Sequence, residues 1–198
     1  MTVRTTVSRR LPSILVGLAA VLTTVPGVAP ADEPTPRPSA TEAPPLVSRG
    51  RVTLHLAGAE RVVAAAKASA AEHDLRVNVA VVDDGGHLLA FARMDGARPA
   101  SAVTAMTKAV AAATMREPTG PRTLPDGTVN VHLNLALEHA AAAGGARVTT
   151  LQGGVPIVVD GQVVGAVGVG GATGEQDKAI ATAGVSALLD DLGAGPTP

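Results

Sequence analysis

One stretch of the chain, Arg93–Thr119 (RMDGARPASAVTAMTKAVAAATMREPT), carries Thr104, Thr107, Lys108, Thr114 and Arg116, five side chains capable of polar chemistry. The spacing puts them on the outward face of one Ala-rich helix, about Pro99–Arg116, which Pro118 stops. A guanidinium such as Arg116 is a planar donor fork suited to a carboxylate. Lys108, the one lysine of that helix, is a point charge able to anchor the same kind of group. The hydroxyl of Thr114 is a weak metal ligand compared with imidazole or thiolate. Each also has a plainer role. Thr114 can bond back to its own helix, Arg116 can offset the C-terminal dipole, and Lys108 can simply be solvated.

The five histidines are His55, His73, His87, His132 and His139. On a shared helix His132 and His139 would face the same side about 10 Å apart, too far for one metal ion. No His-Glu-x-x-His pattern occurs, so the histidines read as surface residues. Asp83, Asp84 and Asp95 sit in turns, where Asp serves its own backbone, and no Ser or Thr is placed beside a His and an acid. The glycine run Gly165–Gly174 fails as a nucleotide loop. Thr173 stands where the third glycine belongs, and too little chain follows for a βαβ unit. No nucleotide cofactor is expected. The run fits close packing, with anion binding at the following helix start as the alternative.

These residues must be positioned by a small domain. Arg4, Arg9 and Arg10, the apolar run Leu11–Val25 and Ala29-Pro30-Ala31 read as a secretory signal peptide over residues 1–31. The pair Arg9-Arg10 makes the Tat route as plausible as Sec, and the expected location is secreted or extracytoplasmic. Residues 32–51, rich in Pro, Ser, Thr and Glu, read as a flexible tether; the folded domain spans 52–193, and 194–198 is a tail. Losing the three leader arginines from 16 basic residues leaves 13 against 17 acidic ones. That balance argues against nucleic acid and anionic lipid as partners, and the mature chain has no stretch for membrane insertion. With no Cys, Trp or Tyr and one Phe, thiolate sites, Cys nucleophiles and aromatic platforms are excluded.

Thr53 caps a first helix to about Asp74, with Leu56, Ala59, Val63, Ala66 and Ala70 inward. Arg76–Val82 and His87–Met94 are strands about the turn Asp83-Asp84-Gly85-Gly86. The second helix buries Val103, Met106, Val110 and Ala113. A third runs from about Leu133 to Ala142. Val148–Leu151 begins the last sheet segment, and Pro156–Val159 and Gln162–Val169 flank the hairpin turn Asp160-Gly161. Thr173 and Gln176 form a capping box for the last helix, whose buried stripe is Ile180, Ala183, Ala187 and Leu188. Hairpins rather than crossovers give an α+β class: an antiparallel β-sheet of about five strands flanked by α-helices.

Taken in order, LxxAxxxxxAAxxxA, VxVAVVDDGGHLLAFARMDGA, TKAVAAA, QGGVPIVVDGQVVGAVGVGG and EQDKAIA resemble the GlcG/HbpS family, which includes the C-terminal domain of PduO-type proteins. The resemblance runs from about Leu54 to Leu189. It implies a profilin-like α+β domain forming homo-oligomeric rings, often octamers. It also implies haem binding among exported members, linked to redox or iron sensing with a membrane sensor protein as partner. In that branch a threonine of a Thr-x-Arg pattern approaches the iron, and Thr114-Met115-Arg116 stands at that place. Ala112 replaces the family's preceding leucine, and Gly168-Val169-Gly170-Gly171 replaces the usual Gly-Val-Ser-Gly. Arg116 and Lys108 become candidate propionate anchors, and His55 the alternative axial ligand, since imidazole holds haem iron more firmly than a hydroxyl. A carrier or sensor accessory fits this set better than an enzyme. The rivals are an enzyme or accessory acting on a small hydroxy acid or corrinoid, and a ligand-independent interaction module.

Overall fold

The computed structural model describes residues 50–193; the expected signal peptide, most of the expected tether and the expected tail lie outside them. Eight elements follow one another: α1 (Leu56–Glu72), β1 (Asn78–Asp83), β2 (Leu88–Arg93), α2 (Ser101–Met115), α3 (Val131–Ala143), β3 (Gly154–Val159), β4 (Gln162–Gly170) and α4 (Gly174–Asp191). The strands form one antiparallel sheet in the order β2-β1-β4-β3. β1 and β4 are its centre, which is why Asn78–Val82 and Val164–Gly170 are buried throughout.

Strand alternation divides the core in two. Val79, Val81, Val167 and Val169 face α1 and α4, and meet Val62, Ala66, Ile180 and Leu188. Ala80, Val82 and Ala166 face α2. Local chemistry sets several boundaries as the sequence predicts. Asp160 and Gly161 both take positive φ, 50° and 72°, which a two-residue hairpin turn of matching twist requires. Thr173 and Gln176 complete the capping box of α4. α3, expected from about Leu133, begins at Val131, where Asn130 caps it by accepting from the Leu133 N–H.

Several expectations need correction. The sheet has four strands, not about five. At Val148–Leu151 the Thr150 N–H and hydroxyl both donate to Glu138 of α3, at 2.8 Å each, so this segment is satisfied by a helix and not by a strand. The cap of α1 is His55, without a side-chain bond, and not Thr53. Leu54 is buried while Leu56 is 53% exposed.

The buried face of α2 differs from the expected one: Val103 is exposed, and Met106 and Val110 are only partly buried at its edge. That face is Ala105, Ala109, Ala112 and Ala113, with Ser101 and Lys108. The cause is on β4: a Cβ at Gly168 would lie 2.1 Å from the Ala105 carbonyl oxygen and 2.4 Å from the Ala109 nitrogen. Helix backbone rests on strand backbone there, and only alanine fits between. The larger side chains are displaced from that line of contact, Met106 and Val110 to its edge and Val103 to 68% exposure.

Candidate functional site

The exposed Val103 and the partly buried Met106 and Val110 give α2 an apolar flank beside β2, whose Leu88 and Phe91 are also exposed. Between them runs a groove in two parts. One, of about 640 Å³, is walled by Leu88, Phe91, Val103, Met106 and Thr107. The other, of about 400 Å³, is walled by Val110, Thr114 and the turn Gly85–His87. Met106 and Arg147 line both, so the two parts adjoin.

Thr114 is exposed at one end of the groove. Its hydroxyl donates to the Val110 carbonyl at 2.8 Å, the back-bond expected of a helical threonine. That bond uses its hydrogen and leaves oxygen lone pairs for a ligand. Arg116 is the C-cap of α2, at φ 58°, and does not line the groove. The guanidinium in the groove wall belongs to Arg147, which only the return of the chain from α3 could reveal. His87 also lines the groove. Its Nδ1 lies 3.2 and 3.3 Å from the carboxylate oxygens of Asp83, and Asp83 accepts from the N–H groups of Gly85 and His87 at 2.9 and 2.8 Å. Partial burial pushes the Asp83 carboxyl up, but those N–H donors and the neighbouring imidazole prevail and hold it below its ordinary range.

Lys108 is not solvated. It is 4% exposed and Asp177 2%, and the Nζ donates to the Asp177 carboxylate at 2.7 Å and to the Val169 carbonyl at 2.8 Å. The other Asp177 oxygen accepts from the Ala172 N–H at 3.1 Å. This pair sits in a second cleft of about 350 Å³ with Arg98, Ser101, Thr104 and Gln152 beside the start of α4. Thr114 and Lys108 therefore serve different clefts. His55 is exposed at the start of α1, across the sheet from α2, and lines neither. Among the described residues no group of three His, Asp or Glu side chains could hold a metal ion, and no helix is long and apolar enough to cross a membrane.

A family model described as "Haem degrading protein HbpS-like" matches residues 54–186. Protein GlcG of Escherichia coli K12 is 39% identical over 120 residues, covering 60% of this chain and 82% of GlcG. Among solved structures, a double mutant of Streptomyces reticuli HbpS is similar at 32% identity and TM-score 0.58, covering 74% of this chain and 97% of that one. A complex of PduOC with heme is similar at 25% identity and TM-score 0.57, covering 69% and 95%.

Proposed function

This chain belongs to the HbpS-like family, which also takes in GlcG and the PduO C-terminal domain, and from that membership we propose that it binds haem in the groove between α2 and β2. The observation that carries the reading is the row of apolar side chains lining the groove, the exposed Leu88, Phe91 and Val103 and the half-buried Met106, leading to a hydroxyl and an imidazole. A porphyrin is a flat apolar ring with two carboxylates and a metal centre, and the groove offers a surface of matching kind for each part. The apolar walls would hold the ring, Thr114 the iron, and Arg147 a propionate as a donor fork. Bound haem would supply a redox-active iron; the residues here bind and orient it.

A hydroxyl as iron ligand gives exchangeable binding, which suits a carrier or an accessory to extracytoplasmic redox or iron sensing. The leader at residues 1–31 supports export by Sec or Tat. Homo-oligomer formation is supported by α3, which buries only Asn134 and exposes Val131, Leu133 and Leu135. Leu135→Glu is expected to shift the chain to a smaller species on size-exclusion chromatography. Titration of the purified mature chain with hemin should give a Soret shift that Thr114→Ala weakens. An unchanged spectrum at micromolar hemin would sink the reading.

The second cleft favours one further reading, a site for a small hydroxy acid. Arg98 supplies the cationic side chain there, beside the hydroxyl-bearing Ser101 and Thr104. Thermal-shift measurement with lactate and malate tests it: stabilisation by millimolar ligand that Arg98→Ala abolishes is expected, and no shift with either acid rejects it.

A further inference from the structure

The turn between β1 and β2 folds back over the end of α2. A Cβ at Gly86, whose φ is 85°, would lie 3.3 Å from Val110 Cγ1 and 3.5 Å from Thr114 Cγ2. That approach brings His87, the next residue, to the end of the groove that Thr114 occupies. The imidazole is also held. Asp83 receives its Nδ1 while being fixed itself by two backbone N–H groups, which leaves Nε2 as the ring nitrogen without a partner. An aspartate on one nitrogen sets the tautomer and the orientation of the ring, the arrangement by which proteins prepare a histidine to bind metal.

We propose that His87, oriented by Asp83, is an axial ligand to haem iron in this groove. The inference rests on the haem reading above and adds an iron ligand to it. His87 would hold the iron through the Nε2 lone pair, in place of a water or hydroxide that would leave, while Nδ1 keeps its proton toward Asp83. Of the two donors lining this end of the groove, an imidazole binds haem iron more firmly than a neutral hydroxyl. The position also explains a turn that otherwise needs no histidine: the N–H groups of Gly85 and His87 alone satisfy Asp83, and the ring is 83% exposed.

The experiment compares the wild-type chain, His87→Ala, Asp83→Asn and Thr114→Ala, each loaded with hemin and read by absorbance and by electron paramagnetic resonance. Circular dichroism of His87→Ala should match wild type, since the backbone bonds of the turn remain. The expected result is a changed Soret band and spin state in His87→Ala, at least a tenfold weaker affinity, and recovery of the wild-type spectrum with added imidazole. Asp83→Asn should keep a histidine-type spectrum with weaker binding. If wild type binds hemin and His87→Ala gives the same spectrum and affinity, His87 is not the ligand and the haem reading stands. A His87→Ala change that imidazole does not restore counts against direct ligation. Failure of the wild-type chain to bind hemin removes the haem reading itself.

Discussion

Replacing Lys108 by methionine removes an Nζ that makes two bonds inside the domain while keeping most of the side-chain volume. The ammonium is the ion-pair partner of Asp177 at 2.7 Å and the donor to the Val169 carbonyl at 2.8 Å. Both side chains are within a few per cent of complete burial, so water cannot replace what is lost. The variant leaves a buried carboxylate with one remaining donor, the Ala172 N–H, and a strand carbonyl with none from Lys108. Leaving such a group orphaned costs about 1–3 kcal/mol, and more when it is charged. Breaking a buried ion pair from one side costs about 3–5 kcal/mol. The expected loss is therefore about 4 kcal/mol, a large share of the 5–15 kcal/mol typical of a domain. In a domain of this size it lowers the melting temperature by about 10 °C. Urea unfolding followed by circular dichroism measures it, and a cycle with Asp177→Asn isolates the pair. A loss below about 1 kcal/mol, or additive single effects, would refute the claim that this lysine is structurally committed.

Three further outcomes follow from the geometry. Gly168→Ala sets a methyl against helix backbone at 2.1 Å; overpacking of this kind costs about 3 kcal/mol or more, and a melt should fall by about 6 °C at least. A melting temperature within 2 °C of wild type, roughly the shift from half a kcal/mol, would contradict the packing of α2 on β4. Asp83 has a folded value below the ordinary 3.8, so it contributes stability above that pH which is lost as pH falls through the folded value. Asp83→Asn should be less stable than wild type at neutral pH, with the two unfolding curves converging well below pH 3.8; a constant difference at all pH values would contradict this. Val103→Ser, at a position 68% exposed on the groove flank, should leave stability within about 0.5 kcal/mol yet weaken hemin binding; loss of folding instead would make Val103 a core residue.

Local chemistry was legible in the sequence, and long-range choices were not. The hairpin at Asp160-Gly161 and the capping box at Thr173 and Gln176 are decided by adjacent residues, so they could be read directly. The buried face of α2 is decided by Gly168, far along the chain, and helical periodicity alone preferred the bulkier Val103 and Met106. Lys108 looked solvated because its partner Asp177 is 69 residues away. Arg147 carries no motif and reaches the groove only through the loop after α3. His87 did leave a signal, four residues after Asp83 across a glycine turn, but that spacing reads first as turn structure. The family resemblance named the ligand class; the placement of Thr114 beside His87 and away from Lys108 is what the fold adds.

The central claim is that haem lies in the groove between α2 and β2, and Met106, half-buried in the wall shared by both parts, tests it most directly. Hemin titration of wild type and Met106→Glu by difference absorbance is the decisive measurement. A saturable Soret change in wild type that is absent, or at least tenfold weaker, in a folded Met106→Glu is the predicted result. Equal binding by the two proteins, or none by wild type, would contradict the account.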